Sequence, residues 1–343
     1  MSNPDKTCFF PEPGDTNSFG TSVAINDKYL VVGDPNANRV IVYENDLSGR
    51  WQRHREIYPP KNSIIYQVGN GFGQYLWLDK NGLIVNSITR QFSKTINFNT
   101  PPTSYFERYF IQLDTREVTK LEVTEQKKED FLQFYILSDG KLKLVELPNS
   151  DRELSTSSIE LFNSFAVHND LLLICSPSPY TKGKGWLFNL KSLEELPTEL
   201  TTKNGYLGDT VALSDQFAIV GNSGTRRFNH DYLYHPETLI KSLKNDSTMV
   251  TDIQGRLSLE GNILAVMLPS SRSYFRAVAL LQLFRIDEDA TPNLILERTY
   301  SRRGEKYLVR AWVQNGWLMS VYRINRTNSI ELCLESVEQI TGK

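Results

Sequence analysis

Cysteine is scarce in this 343-residue chain: Cys8, Cys175 and Cys333 are odd in number, widely separated, and free of any metal-knuckle spacing. That excludes a disulfide-dense scaffold and a zinc ribbon, and predicts reduced core thiols in a cytoplasmic compartment. No apolar run is long enough to span a bilayer, and Met1-Ser2-Asn3-Pro4-Asp5-Lys6-Thr7 lacks the basic start and apolar stretch of a secretory signal. Lys and Arg together number 38 against 40 Asp and Glu, so no overall basic excess points to nucleic acid. Sustained helical periodicity is missing too, which removes helical solenoids.

What the chain does have is a repeat. Phe19 to Ile25 is a short alternating run, Asn26-Asp27-Lys28 a polar turn, and Tyr29-Leu30-Val31-Val32-Gly33-Asp34-Pro35 a more continuously apolar run. This reads as two antiparallel strands, the second buried on both faces. Weaker copies follow at Phe72 to Ser87, Phe162 to Pro177, Leu207 to Asn222, Gly255 to Val266 and Val309 to Val321. The last apolar residues of the first strands are Ile25, Leu78, Val167, Leu213, Leu259 and Val313, spaced about fifty apart except for one interval of 89. Taking that interval as two periods predicts a third, irregular unit between residues 88 and 160. Strands are expected there at Phe106 to Leu113, Glu117 to Val123, Phe131 to Leu137 and Leu142 to Leu147. The expected fold is all-β, a single seven-bladed propeller of four-stranded antiparallel blades spanning residues 1–343. Ring closure falls to Thr7-Cys8-Phe9-Phe10 or to Ser336 to Ile340.

These residues resemble the FG-GAP repeat of integrin-type propellers, in which Phe-Gly precedes the first strand and Gly-Ala-Pro ends the second. Phe19-Gly20 with Gly33-Asp34-Pro35 is close, Phe72-Gly73 keeps the first half, and Cys175-Ser176-Pro177 keeps only the proline. The Asp-x-Asp-x-Asp-Gly calcium loop of many family blades is missing, so no metal or cofactor is carried over. A WD40-like repeat scaffold is the corresponding functional expectation.

A propeller register sorts the charges. Connections between second and third strands share one rim with those between blades, and this rim receives Arg39, Arg90, Lys182, Lys184, Arg226, Arg227, Arg272, Arg276, Arg302, Arg303, Arg323 and Arg326. The other rim receives Asp27, Asp46, Asp79, Glu129, Asp130, Asp170, Asp215, Glu260, Asp287, Glu288 and Asp289. Aromatics accompany the basic side: Tyr180, Phe228, Tyr232, Tyr274, Phe275 and Tyr322. Arginine beside aromatics is hot-spot chemistry, whereas Asp in tight turns also has a purely local explanation.

Two further arginines, Arg256 and Arg310, fall within expected innermost strands, where a charge is costly unless it lines water. They are the candidate channel residues. The cluster His230-Asp231-Tyr232-Leu233-Tyr234-His235 lacks a further converging ligand, and no Ser or Cys stands with an evident base. The leading functional expectation is a non-enzymatic interaction scaffold whose basic, aromatic rim takes an acidic protein or peptide. A sugar-binding propeller and an enzyme with a site in the central channel are the alternatives.

Overall fold

The computed structural model describes residues 6–46, 50–61, 71–91, 103–121, 131–138, 141–148, 165–176, 184–192, 197–201, 210–221, 237–268, 278–301, 304–325 and 329–342. Strand β1 (Lys6–Phe9) opens the chain. The first blade follows as β2 (Val23–Ile25), β3 (Tyr29–Asp34), β4 (Arg39–Asn45) and β5 (Trp51–Ile57), the second as β6 (Tyr75–Asp79), β7 (Gly82–Gln91), β8 (Thr103–Gln112) and β9 (Glu117–Leu121). A two-stranded hairpin, β10 (Phe131–Ser138) and β11 (Lys141–Pro148), comes next. The third blade is β12 (Phe165–His168), β13 (Leu171–Ser176), β14 (Lys184–Asn189) and β15 (Thr198–Leu200). The fourth is β16 (Thr210–Leu213), β17 (Phe217–Gly221), β18 (Thr238–Ser242) and β19 (Thr248–Thr251). The fifth is β20 (Arg256–Glu260), β21 (Ile263–Leu268), β22 (Val278–Ile286) and β23 (Pro292–Ser301). The last consists of β24 (Lys306–Gln314), β25 (Trp317–Ile324), β26 (Ile330–Ser336) and, as its outer strand, β1; a short helix α1 (Val337–Thr341) follows.

The propeller therefore has six four-stranded blades among the described residues, not the seven expected. Strands β8 and β9, read from sequence as part of a third unit, complete the second blade instead, and among the described residues a hairpin is what remains before β12. Between the second blade and the third, Trp77 of β6 reaches the third blade directly. Its ring meets Phe165 edge-on, centroids 5.9 Å apart, and joins the cluster of Leu172, Ile174, Trp186 and Phe188.

Period-two alternation explains why the second strands are apolar throughout. In β3, Leu30 and Val32 pack toward the last blade, while Tyr29 and Val31 pack toward the second. In β17, Ala218 and Val220 face the third blade while Phe217 and Ile219 face the fifth. Each strand thus serves two cores, and each blade is buried on both faces.

The Phe-Gly and Gly-Asp-Pro residues build the seam between the first two blades. Phe19 and Phe72 are core side chains. A Cβ on Gly33 would lie 2.0 Å from the carbonyl oxygen of Gly73, to which the Ser22 hydroxyl donates at 2.6 Å, so only glycine allows the backbones to meet.

Strand β1 pairs antiparallel with β26, Lys6 opposite Glu335 and Phe9 opposite Leu332. Cys8 lies directly opposite Cys333, and the two are joined by a disulfide spanning 325 residues of sequence. This corrects the expectation of three reduced thiols: pairing across the closure was invisible in the spacing. Cys175 stays a buried free thiol.

The segment before the first blade is held by a buried ionic network. Asp34 accepts from the Thr16 amide at 3.1 Å and the Ser18 hydroxyl at 2.6 Å, and also from the Thr16 hydroxyl. Arg39 donates to Asp34 at 3.3 Å, Asp15 at 2.5 Å and Glu56 at 3.0 Å; Arg53 grips both oxygens of Asp15 at 3.0 Å. Burial would raise the Glu56 carboxyl, but the Tyr58 hydroxyl and the Arg53 and Arg39 guanidiniums bring it down to about 2. A carboxylate depressed in this way stabilises the fold above its unfolded value and ceases to do so as pH falls through the folded one. Thermal stability should accordingly decline between about pH 4.5 and pH 2. Glu56→Gln should flatten that limb in a pH series of melting curves, and an unchanged limb would exclude Glu56 as a contributor.

Candidate functional site

The inner strands β2, β6, β12, β16, β20 and β24 each begin at one rim of the disc and end at the other. Cross-strand bonds fix their relative heights. The Ser258 hydroxyl donates to the Val313 carbonyl at 2.8 Å, the Leu257 amide donates to the Thr210 hydroxyl at 3.1 Å, and the Ile25 amide to the Gln314 side-chain oxygen at 3.3 Å. This register brings Arg256, Arg310 and Thr21 to one level near the rim where the inner strands start.

Local structure aims both arginines. Gly255, with φ of +144°, turns the chain into β20 immediately before Arg256, and a Cβ there would meet the Met267 carbonyl oxygen at 2.8 Å. In β24 a bulge falls between Leu308 and Arg310, shifting the register against β25 at that point. Arg310 is partly buried and donates from Nη1 to the Thr21 carbonyl. Burial first, and then the charge of Arg256, hold its guanidinium below the ordinary arginine range, while Tyr75 at the start of β6 acts the other way. Arg256 is exposed, and neither arginine forms an ion pair with a carboxylate among the described residues. The two channel candidates are therefore electrostatic neighbours.

The opposite mouth has the opposite character. Glu260 accepts the Gly316 amide at 2.7 and 2.9 Å, and Asp27 accepts from the Asn315 side chain at 2.6 Å. Burial raises the Glu260 carboxyl, as does the charge of Asp27, against the pull of the Gly316 and Asn315 amides. Several other acids of this rim do local work. Asp46 accepts the Arg50 amide at 2.9 Å, Asp289 accepts the Thr291 amide at 3.1 Å, and Asp170 and Glu288 pair with Lys191 and Lys244. Turn chemistry and neighbouring lysines thus account for much of that apparent acidity.

Among the rim candidates, Arg39 is corrected outright. It is a buried member of the network around Asp34, not a solvated rim cation. Tyr322 is buried as well, its hydroxyl 3.2 Å from that of Tyr300 and its ring capped by Lys306. Arg323 is partly buried near the end of β25, and its Nε is enclosed with no hydrogen-bond partner among the described residues. Arg226, Arg227, Phe228, Tyr232, Arg272, Tyr274, Arg276, Arg302, Arg303 and Arg326 lie outside the described residues, as do the cluster His230 to His235 and Lys182; the side chains of Arg90 and Lys184 are likewise not described. His54 stands 3.4 Å from Glu44.

Cys8, Glu331 and Cys333 place ligand-type atoms within 4.8 Å of one another. The two sulfurs are bonded together and Glu331 is held by Lys306 at 2.8 Å, so this group offers no thiolate to a metal. Sequence reasoning found Arg256 and Arg310 from charge within an apolar strand. It missed Thr21 and Tyr75, since a backbone carbonyl and a strand-initial tyrosine carry no signal until the register is known.

No family model and no curated protein matches the sequence. Among solved structures, the chain is similar to the WD40 domain of Neurospora crassa Pan2, at 10% identity and a TM-score of 0.55, covering 98% of this chain and 97% of that one. It is also similar to the β-propeller domain of the Trilobed protease from Pyrococcus furiosus, whose velcro topology is open, at 12% identity and a TM-score of 0.48 over 92% and 94% of the two chains. TolB from Acinetobacter baumannii matches at 10% identity and a TM-score of 0.33, over 92% and 79%. At such identities the likeness is one of fold: the chain is a β-propeller with WD40 propellers among its neighbours. No helix among the described residues is long and apolar enough to cross a membrane.

Proposed function

We propose that this chain is a non-catalytic interaction scaffold whose working face is the rim where the inner strands begin, and that its partner is an acidic protein or peptide. The observation that carries the reading is topological. In antiparallel blades the second strand ends, and the third begins, at the rim where the inner strand starts, so the flanks of the arginine-bearing connections emerge together. Gly221 and Thr238 flank the segment with Arg226 and Arg227; Leu268 and Val278 flank Arg272 and Arg276; Ser301 and Lys306 flank Arg302 and Arg303. Arginines and aromatics from three connections would then act as one surface.

The FG-GAP likeness belongs to the same reading. In the first blade its residues serve the seam with the second blade, which is scaffold work, and leave recognition to the loops. The thiol argument for a cytoplasmic site loses its basis with Cys8 and Cys333 bonded, a state that fits an oxidising environment.

The test is capture from native cells with wild type and with Arg226, Arg227, Arg272 and Arg276 all changed to Glu, read by quantitative mass spectrometry. Acidic partners should fall by about tenfold or more, the equivalent of about 1.4 kcal/mol, with the melting temperature unaltered. Equal recovery of the same proteins on both baits would defeat the reading.

A further inference from the structure

Among the described residues, Arg256 and Arg310, on adjacent inner strands, have no carboxylate to answer them. Among the described residues Arg310 donates one hydrogen bond, to the Thr21 carbonyl, and Arg256 forms none. A guanidinium carries five N–H donors, so most of this donor capacity has no acceptor among the described residues. Like charges brought together in a partly buried setting repel, and an uncompensated buried charge is among the costlier features a fold can carry. A bulge precedes Arg310 in β24, and Gly255, with φ of +144°, precedes Arg256 in β20. Glu260 and Asp27, toward the opposite rim, are engaged by Gly316 and Asn315.

We propose that the channel mouth at Arg256 and Arg310 binds a small ligand through an oxyanion, a carboxylate or a phosphate group, held between the two guanidiniums. Paired guanidiniums suit both groups, since each presents parallel N–H donors to two oxygens. The negative charge that relieves the repulsion is supplied by the ligand, and the acidic far mouth favours entry of the anion from the arginine side. The site goes beyond the partner-binding rim and does not depend on it, because no loop arginine takes part.

The experiment is a calorimetric titration of the full chain with inorganic phosphate and, separately, with glutarate, each against chloride at matched ionic strength. Saturable binding of at least one, with a dissociation constant of about 1 mM or below, is expected, and which of the two binds tells phosphate from carboxylate ligands. Arg256→Gln and Arg310→Gln should each weaken binding about tenfold or more. A second readout separates ligand binding from a purely structural role. Arg256→Gln, at an exposed position, should leave the anion-free melting temperature equal to or above wild type, because it removes the repulsion. Absence of saturable binding by both anions at about 10 mM, or undiminished binding by the Arg256→Gln protein, would overturn the proposal. The quadruple loop variant should bind the anion normally, so failure of the rim reading and failure of this one are told apart.

Discussion

Cys8→Ser should lower the stability of the propeller by about 2–4 kcal/mol under non-reducing conditions, and reductant should bring wild type down to the same level while leaving the variant where it is. The reason is topological. The bond joins the outer strand of the last blade to its neighbour across 325 residues, so in the unfolded state it closes nearly the whole chain into one loop. Loop-closure entropy grows with the logarithm of length, which puts this disulfide at the high end of its class. Cys8 is the better position to change because it is only partly buried, whereas Cys333 is fully buried and a serine there would add an unpaired hydroxyl. Deleting residues 1–12 should cost more than the point change. It also removes Phe9, whose ring packs edge-on against Tyr43 at 5.0 Å in the core between the first and last blades. The exposed edge of β26 should then promote association. Urea denaturation with and without reductant reads all of these effects. Coincident wild-type and Cys8→Ser curves without reductant would rule out a stabilising bond.

Arg39→Met is expected to cost about 3–5 kcal/mol, the range for breaking a buried ion pair from one side. Two carboxylates that contact this guanidinium, Asp15 and Asp34, have fully buried side chains. Asp15 would retain Arg53, but Asp34 would be left with the Thr16 and Ser18 donors and no cation. A solvated surface arginine replaced by methionine changes stability by no more than about 0.5 kcal/mol. Chemical denaturation therefore distinguishes the two environments, and a change of the smaller size would place Arg39 back among the rim cations. Methionine preserves most of the stem packing, so the loss reads the charge and its hydrogen bonds.

Arg39 illustrates where sequence reasoning stops. A basic residue just after a Gly-Asp-Pro turn looks like a loop cation, and nothing local reveals that residues 12–18 fold back to supply Asp15 and the Asp34 caps. The blade count failed for a related reason. Strand signals at Phe106 to Leu113 and Glu117 to Val123 were legible, but alternation does not name a strand's partner. Pairing of β8 with β7, and of β9 with β8, assigned them to the second blade and left a hairpin among the described residues of the third unit. Arg256 and Arg310 were legible singly, as charges in apolar strands. Their common level was not, because it is set by bonds between segments distant in sequence, such as those of Ser258 with Val313 and of Glu260 with Gly316.

The sequence by itself determined the all-β propeller class, since alternation of period two and turn residues are local properties that every blade repeats. It likewise marked Gly33 and Phe72 as special positions. Tertiary structure alone decided the number of blades among the described residues, the bond between Cys8 and Cys333, the burial of Arg39 and the common level of Arg256 and Arg310 on adjacent inner strands. Each of these depends on which distant strand lies alongside, and that is settled by closing the ring so that every blade buries both faces, a condition no single segment encodes.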